Sequence, residues 1–429
     1  MPDEKTSSSY TTLLLNDSFP PQIDGVANAI SNYAREIEEK HGHAAVLTPE
    51  FPEANDSIFP FPVYRYPSID IRKKVGYMAG APFTPKQTAE MKRSNIGIIH
   101  SHCPAASQVL ARMIQTVVDV PLVMTYHTKF DYDIQRVVKN RLIQESLIHI
   151  LVENISASDE VWVVSEGAGK NLRSLGYKGD YVVMENGVDM DKRPASEEAV
   201  HALKEQYGIP EGIPVFLFVG RMVWYKNQRI ILDGLRRFMD KGGDFRMVMV
   251  GDGADLPEMK LYASTLGIQD RCIFTGVIQD REVVRTFYTM ADLLLFPSVF
   301  DTNGLVVREA AACGTASVLV RGSSAAEGVL GGRNGFLISE NAESLAALLT
   351  SLKGRESTVR ETGIHASEEL YISWETAVNK AVERYAIVID RYRAGHYKHR
   401  ITLTEGLLNA TAYLMDLFSI LGTKMSIWE

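Results

Sequence analysis

The chain has 429 residues, 45% hydrophobic, 23% charged and 9% aromatic, an ordinary globular composition spread over more chain than one core organises, so at least two domains are expected. Its formal net charge is −8, so the bulk field repels nucleic acid and anionic lipid, and binding of either must come from a local patch; this argues against a generic nucleic-acid binder. Cys103, Cys272 and Cys313 lie far apart with no CxxC pair, which supports neither a disulfide framework nor a zinc site and fits a reducing cytoplasm.

Residues 1–9 are polar, and the apolar run 13–15 is too short for a signal segment or a membrane span, so a membrane would be met from its surface, the expected location being the cytoplasm or the inner face of the membrane. From there, short apolar runs alternate with segments of helical period, the pattern of parallel sheets built from βαβ units. Strands are expected at 11–15, 44–48, 96–100, 122–126, 161–164 and 181–184. A turn rich in Asn, Asp, Pro and Gly follows the first strand and leads into a helix with Val26, Ile30, Tyr33 and Ile37 on one face, ended by Gly42. These elements make a Rossmann-like domain at 1–190.

Pro194, Pro210, Gly212 and Pro214 punctuate a polar linker, after which strands are expected at 215–219, 247–250, 273–275, 293–296 and 317–320. This second Rossmann-like domain spans 191–372. Past Phe336 only helices are expected, at 342–352, 357–370 and 374–393, and the last of them begins a segment, 373–429, placed to cross back onto the first domain. The fold class is therefore α/β, with two Rossmann-like domains facing a cleft.

The strongest chemical constellation is 297–310, Pro-Ser-Val-Phe-Asp-Thr-Asn-Gly-Leu-Val-Val-Arg-Glu-Ala, directly after a buried strand. In open α/β sheets ligands sit outside the carboxyl ends of strands. Gly304 permits close approach of backbone to a ligand, and the helix beginning near it aims N–H groups and a positive dipole at a phosphate. Asp301 and Glu309 then bracket the same ligand. Taken as isolated residues they read equally well as a loop acid and a solvated helix residue, but Glu309 stands among Leu305, Val306, Val307 and three alanines, where a carboxylate is costly without a partner.

A second loop, again between strand and helix, carries Arg221 and Lys226, two surface cations suited to a diphosphate. His127 closes the strand 122–126 and can donate to a sugar hydroxyl or phosphate oxygen, while His100 and His102 read as structural. Gly251-Asp252-Gly253 lacks the third glycine of a dinucleotide fingerprint. No metal-ligand motif is present, and neither a metal nor a resident cofactor is expected.

Phe19-Pro20, Ile23-Asp24-Gly25-Val26, Gly42-His43, Tyr126-His127-Thr128, Asn186-Gly187-Val188-Asp189, Gly220-Arg221, Lys226-Asn227 and the block from Asp301 to Glu309 with Cys313-Gly314 together resemble the retaining glycosyltransferases of GT-B architecture, family 4-like, including bacterial diacylglycerol glucosyltransferases. The resemblance spans nearly the whole chain, and it implies that the domain 1–190 binds the acceptor and the domain 191–372 the nucleotide sugar. It implies Arg221 and Lys226 as diphosphate ligands, Glu309 as acceptor of the ribose hydroxyls, and Asp301 near the donor sugar. Backbone amides at Asn303, Gly304 and Leu305 would meet sugar and phosphate, with His127 at the reacting face, Gly25 near the diphosphate and Val277 and Ile278 in the stretch holding the base. It implies a UDP-sugar donor, UDP-glucose favoured, and a same-face reaction without a metal. Asp301 departs from the family's usual Glu by one methylene, which leaves the donor sugar open.

Thr302-Asn303-Gly304 resembles the bacterial glycolipid synthases and favours a diacylglycerol-type acceptor, with a soluble glycan or small molecule as the alternative, as is a non-catalytic lipid- or glycan-binding protein of this fold. Basic and apolar residues alternate at 71–78 and 136–150, consistent with contact to an anionic membrane or with ordinary solvated helices, and the run 403–420 is amphipathic.

Overall fold

The protein is described here as a computed structural model, covering residues 10–22, 24–72 and 78–397. Ile23, most of the basic segment 71–78 and the whole amphipathic run 403–420 lie outside the described residues. The chain divides into two units, one running to Asn186 and resuming at Trp374, the other Gly187–Ser373.

The first unit contains β1 (Thr11–Leu15), α1 (Gly25–Lys40), β2 (His43–Pro49), β3 (Val63–Tyr66), β4 (Ser68–Asp70), β5 (Met78–Gly80), α2 (Pro85–Arg93), β6 (Ile96–Ser101), α3 (Ala106–Val118), β7 (Leu122–Tyr126), α4 (Phe130–Val137), α5 (Arg141–Ser156), β8 (Glu160–Val163), α6 (Glu166–Ser174) and β9 (Val182–Val183). Its parallel sheet has the order β3-β2-β1-β6-β7-β8-β9. Leu13 to Leu15, Ile98, Ile99, Val123 and Met124 are fully buried, because helices cover both faces, so these strands read as unbroken apolar runs. Strand order reverses between β1 and β6, which opens a crevice beyond their carboxyl ends.

The second unit contains α7 (Glu197–Gln206), β10 (Val215–Val219), α8 (Gln228–Asp240), β11 (Arg246–Val250), α9 (Leu256–Thr265), β12 (Cys272–Gly276), α10 (Arg281–Met290), β13 (Leu293–Phe296), α11 (Leu305–Ala312), β14 (Ala316–Val320), β15 (Phe336–Ile338), α12 (Ala342–Leu352) and α13 (Glu356–Glu369). The sheet order β12-β11-β10-β13-β14-β15 is again doubly wound and parallel, with its reversal between β10 and β13. The strand β15, parallel to β14, runs to Ile338 and corrects the expectation that past Phe336 only helices follow.

The last helix, α14 (Trp374–Arg393), belongs to the first unit. There it packs on α1, and Tyr385 is fully buried with its ring stacked on Trp162 at 5.3 Å. Arg384 grips Glu160 through Nε and Nη2 at 2.8 and 2.6 Å, and the same carboxylate accepts the Trp162 indole N–H at 2.7 Å.

Candidate functional site

In the second unit the loops that follow β10 and β13 converge at the reversal of the sheet. The loop after β10 closes in a single 3-10 turn, Trp224–Lys226, and Asn227 caps α8 in a left-handed conformation. Asn227 Nδ2 donates to Pro297 O at 3.1 Å, and the rings of Tyr225 and Phe300 lie 4.7 Å apart, so this turn is fastened to the loop after β13. Gly251 is required behind it: with φ of +133°, a Cβ there would stand 2.1 Å from the carbonyl oxygen of Gly220.

Lys226 is not the surface cation expected from its sequence. Its side chain is 9% exposed, because the ammonium turns inward to lie 2.7 Å from Asp301 Oδ1 and over the Phe296 ring. The other carboxylate oxygen of Asp301 accepts from the buried Ser298 hydroxyl at 2.5 Å. The result is a preset ion pair, its ammonium nearly enclosed and its carboxylate mostly so. Arg221, by contrast, is exposed, and its carbonyl accepts from Gln228 Nε2 at 2.9 Å and from Val223 N at 3.1 Å.

Three residues beyond Asp301, Gly304 adopts φ of +60° and starts α11, a helix that no side chain caps. Its amino end is thus left to offer backbone N–H groups, as an anion-binding helix terminus does. Ala325 packs so close that a Cβ on Gly304 would meet its Cβ at 2.8 Å.

Glu309, one turn on from Leu305, has the partners its apolar surroundings demand. Arg281 Nη2 donates to Oε1 at 2.7 Å and Tyr288 Oη to Oε2 at 2.7 Å. Burial, with the Glu309 carboxylate adding to it, holds the Tyr288 phenol far above its usual range, so it remains a donor. Arg281 Nη2 also reaches the Asp189 carbonyl at 3.2 Å. Sequence reading missed Arg281 and Tyr288; they stand seven apart on one face of α10, but nothing local links that face to Glu309. Val277 and Ile278 follow β12, Val277 being 64% exposed and Ile278 partly covered. Asp301 and Glu309 are thus held by separate sets of partners.

In the first unit Gly25 opens α1 in open space. Asp24 caps this helix, its Oδ1 accepting from Val26 N and Ala27 N at 2.8 Å each. His127 follows β7 and is buried, which pushes its pKa down to about 3 and keeps it neutral. Its Nε2 lies 2.9 Å from Nδ1 of His102, and its Nδ1 lies 3.5 Å from Asn186 Nδ2. His100 stacks behind His102 at 4.0 Å and is held by Tyr385 Oη at 2.5 Å and Thr125 Oγ1 at 2.7 Å.

Comparison with known proteins matches residues 23–192 to the family described as Glycosyltransferase Family 4, and residues 200–367 to the one described as Glycosyl transferases group 1. The chain is 27% identical over 410 residues to the alpha-monoglucosyldiacylglycerol synthase of Streptococcus pneumoniae, covering 94% of this chain and 91% of that protein. It is 30% identical over 319 residues to the D-inositol 3-phosphate glycosyltransferase of Mycolicibacterium smegmatis, covering 70% of this chain and 69% of that one. The crystal structure of Anabaena HepE in complex with UDP-glucose shares the fold, with a TM-score of 0.70 at 18% identity over 88% of this chain and 99% of HepE. The chain belongs to the family 4-like glycosyltransferases of GT-B architecture and resembles the diacylglycerol glucosyltransferases among them.

Proposed function

We propose that the protein is a retaining hexosyltransferase that moves a glucosyl group from UDP-glucose to the hydroxyl of a diacylglycerol-type lipid at the cytoplasmic face of a membrane. The observation that carries this reading is the Lys226–Asp301 junction at the reversal of a parallel sheet, beside the uncapped amino end of α11. Here Arg221 and Lys226 hold the leaving diphosphate, and the amides of Asn303, Gly304 and Leu305 meet sugar and phosphate. Glu309 accepts the ribose hydroxyls, Val277 and Ile278 flank the base, and Asp301 takes hydroxyls of the donor sugar. His127 contributes at the reacting face of the sugar and Gly25 approaches the diphosphate.

As the glycosidic bond breaks, negative charge gathers on the diphosphate while the sugar passes through an oxocarbenium-like state. The diphosphate accepts the proton of the incoming hydroxyl on the same face, so configuration is retained. The protein's share is electrostatic: two cations and a helix terminus stabilise the growing charge, and the scheme calls for no metal.

The lipid acceptor draws support from the near full-length likeness to a protein named for diacylglycerol. It draws support also from α5, where Leu142 is 73%, Ile143 50% and Ile150 54% exposed, beside Lys139 and Arg141. No helix of the described residues is long and apolar enough to cross a membrane. The test is UDP release from a panel of UDP-sugars, with and without diacylglycerol vesicles, and product anomer by NMR. Vesicle-dependent release from UDP-glucose with an α-linked product is expected. Release from no UDP-sugar ends the donor reading, and release driven only by a soluble inositol phosphate ends the lipid reading.

A further inference from the structure

We infer that His102 is a positioning residue for His127, fixing the tautomer in which Nδ1 of His127 accepts a hydrogen bond from a substrate hydroxyl. The inference rests on the reading above that His127 lies at the reacting face of the sugar.

The two histidines follow adjacent parallel strands, β6 and β7, and their rings stack 5.1 Å apart with 23° between planes. The backbone of His102 is pinned, its N–H donating to Leu15 O at 2.8 Å. Only one hydrogen bond joins the rings, Nδ1 of His102 to Nε2 of His127 at 2.9 Å. At the far side of His127 the Asn186 amide nitrogen, a donor, points at Nδ1 from 3.5 Å. With the Asn186 amide turned so that Nδ2 faces it, Nδ1 of His127 carries the lone pair, its proton sits on Nε2 and is given to Nδ1 of His102. The 3.5 Å contact is long enough for a hydroxyl with better geometry to replace it.

His102 must then carry its own proton on Nε2, and that atom is buried with no partner. Buried polar atoms left unpaired are uncommon and call for an explanation. A phenyl ring at this position would pack against Tyr33 and His100 equally well, with no orphaned donor. What the imidazole adds is the Nδ1 lone pair, and that lone pair meets His127. His100 spends both its nitrogens on Tyr385 and Thr125 and backs the His102 ring.

The experiment compares the full chain, labelled with ¹⁵N-histidine, with His102→Phe and His102→Asn, whose Oδ1 stands where Nδ1 stood. In the wild type, long-range ¹H–¹⁵N spectra at neutral pH should show His127 protonated on Nε2 alone, and in His102→Phe a mixture of tautomers. His102→Phe should lower kcat roughly tenfold or more with KM for the UDP-sugar within about threefold, and His102→Asn should recover most of the loss. A His127 protonated on Nδ1 in the wild type overturns the inference. So does a folded His102→Phe with wild-type spectra and kcat, or a His102→Asn no better than His102→Phe. Should His102→Phe not fold, the wild-type and His102→Asn spectra decide. If no UDP-sugar is turned over at all, the functional reading falls, while the tautomer comparison still judges what His102 does to His127.

Discussion

Lys226 Nζ lies 2.7 Å from Asp301 Oδ1, joining the loops after β10 and β13 in an ion pair that is mostly enclosed. Lys226 therefore has two tasks, and exposed Arg221 has one. Lys226→Ala should cost about 1–3 kcal/mol of stability, because Asp301 loses its cation and is left with the Ser298 hydroxyl, and should also impair turnover. Arg221→Ala should leave the melting temperature unchanged. The double variant should lose roughly a hundredfold in turnover or more, about 2.7 kcal/mol. Rates near wild type in the double variant would contradict the phosphate role.

Tyr288 holds Glu309 at 2.7 Å from within the core. Removing that hydroxyl in Tyr288→Phe leaves the carboxylate to Arg281 alone. UDP affinity measured by calorimetry should fall about tenfold, close to 1.4 kcal/mol. An unchanged Kd would mean that Glu309 does not meet the ribose or that Tyr288 does not hold it.

Gly304 combines φ of +60° with a neighbour only 2.8 Å from where a Cβ would stand. Gly304→Ala should thus destabilise the second unit by about 1–3 kcal/mol and weaken UDP-sugar binding together, since the start of α11 must shift. Denaturant unfolding and a UDP titration on one sample check both, and loss of stability with intact binding would remove α11 from the donor site.

The histidine stack gives acid sensitivity with a definite sign. Burial lowers the pKa of His127 from 6.5 to about 3, and burial with the neighbouring imidazoles lowers those of His100 and His102. The folded state thus binds fewer protons than the unfolded chain below pH 6.5, and stability falls as pH drops from there. For His127 alone the loss at pH 5 is about 2 kcal/mol. Melting temperatures should be flat above pH 6.5 and decline below it, less steeply in His102→Phe. A melt insensitive to pH between 7 and 4.5 would show that the stack opens to solvent.

Strands whose two faces are both covered were legible as continuous apolar runs; β1, β7, β10 and β13 fall at the residues expected. The strands β3, β4 and β5 were not, because they are short, and the partly exposed Val-Tyr-Arg-Tyr and Ser-Ile-Asp of the first two follow no apolar run. Glu309's need for a partner followed from its neighbours, but Arg281 and Tyr288 could not, since only tertiary packing brings α10 against α11. The burial of Lys226 was hidden for the same reason, and so was the contact between His102 and His127, which are 25 residues apart.

The first unit is discontinuous in sequence, and this bears on its maturation. On the ribosome its seven-stranded sheet emerges early, yet α14 is translated only after the entire second unit. Until then His100 lacks the Tyr385 hydroxyl and Glu160 lacks the Arg384 guanidinium. The half made first is the half finished last, so a nascent chain interrupted before Trp374 carries the second unit whole and the histidine stack unbraced.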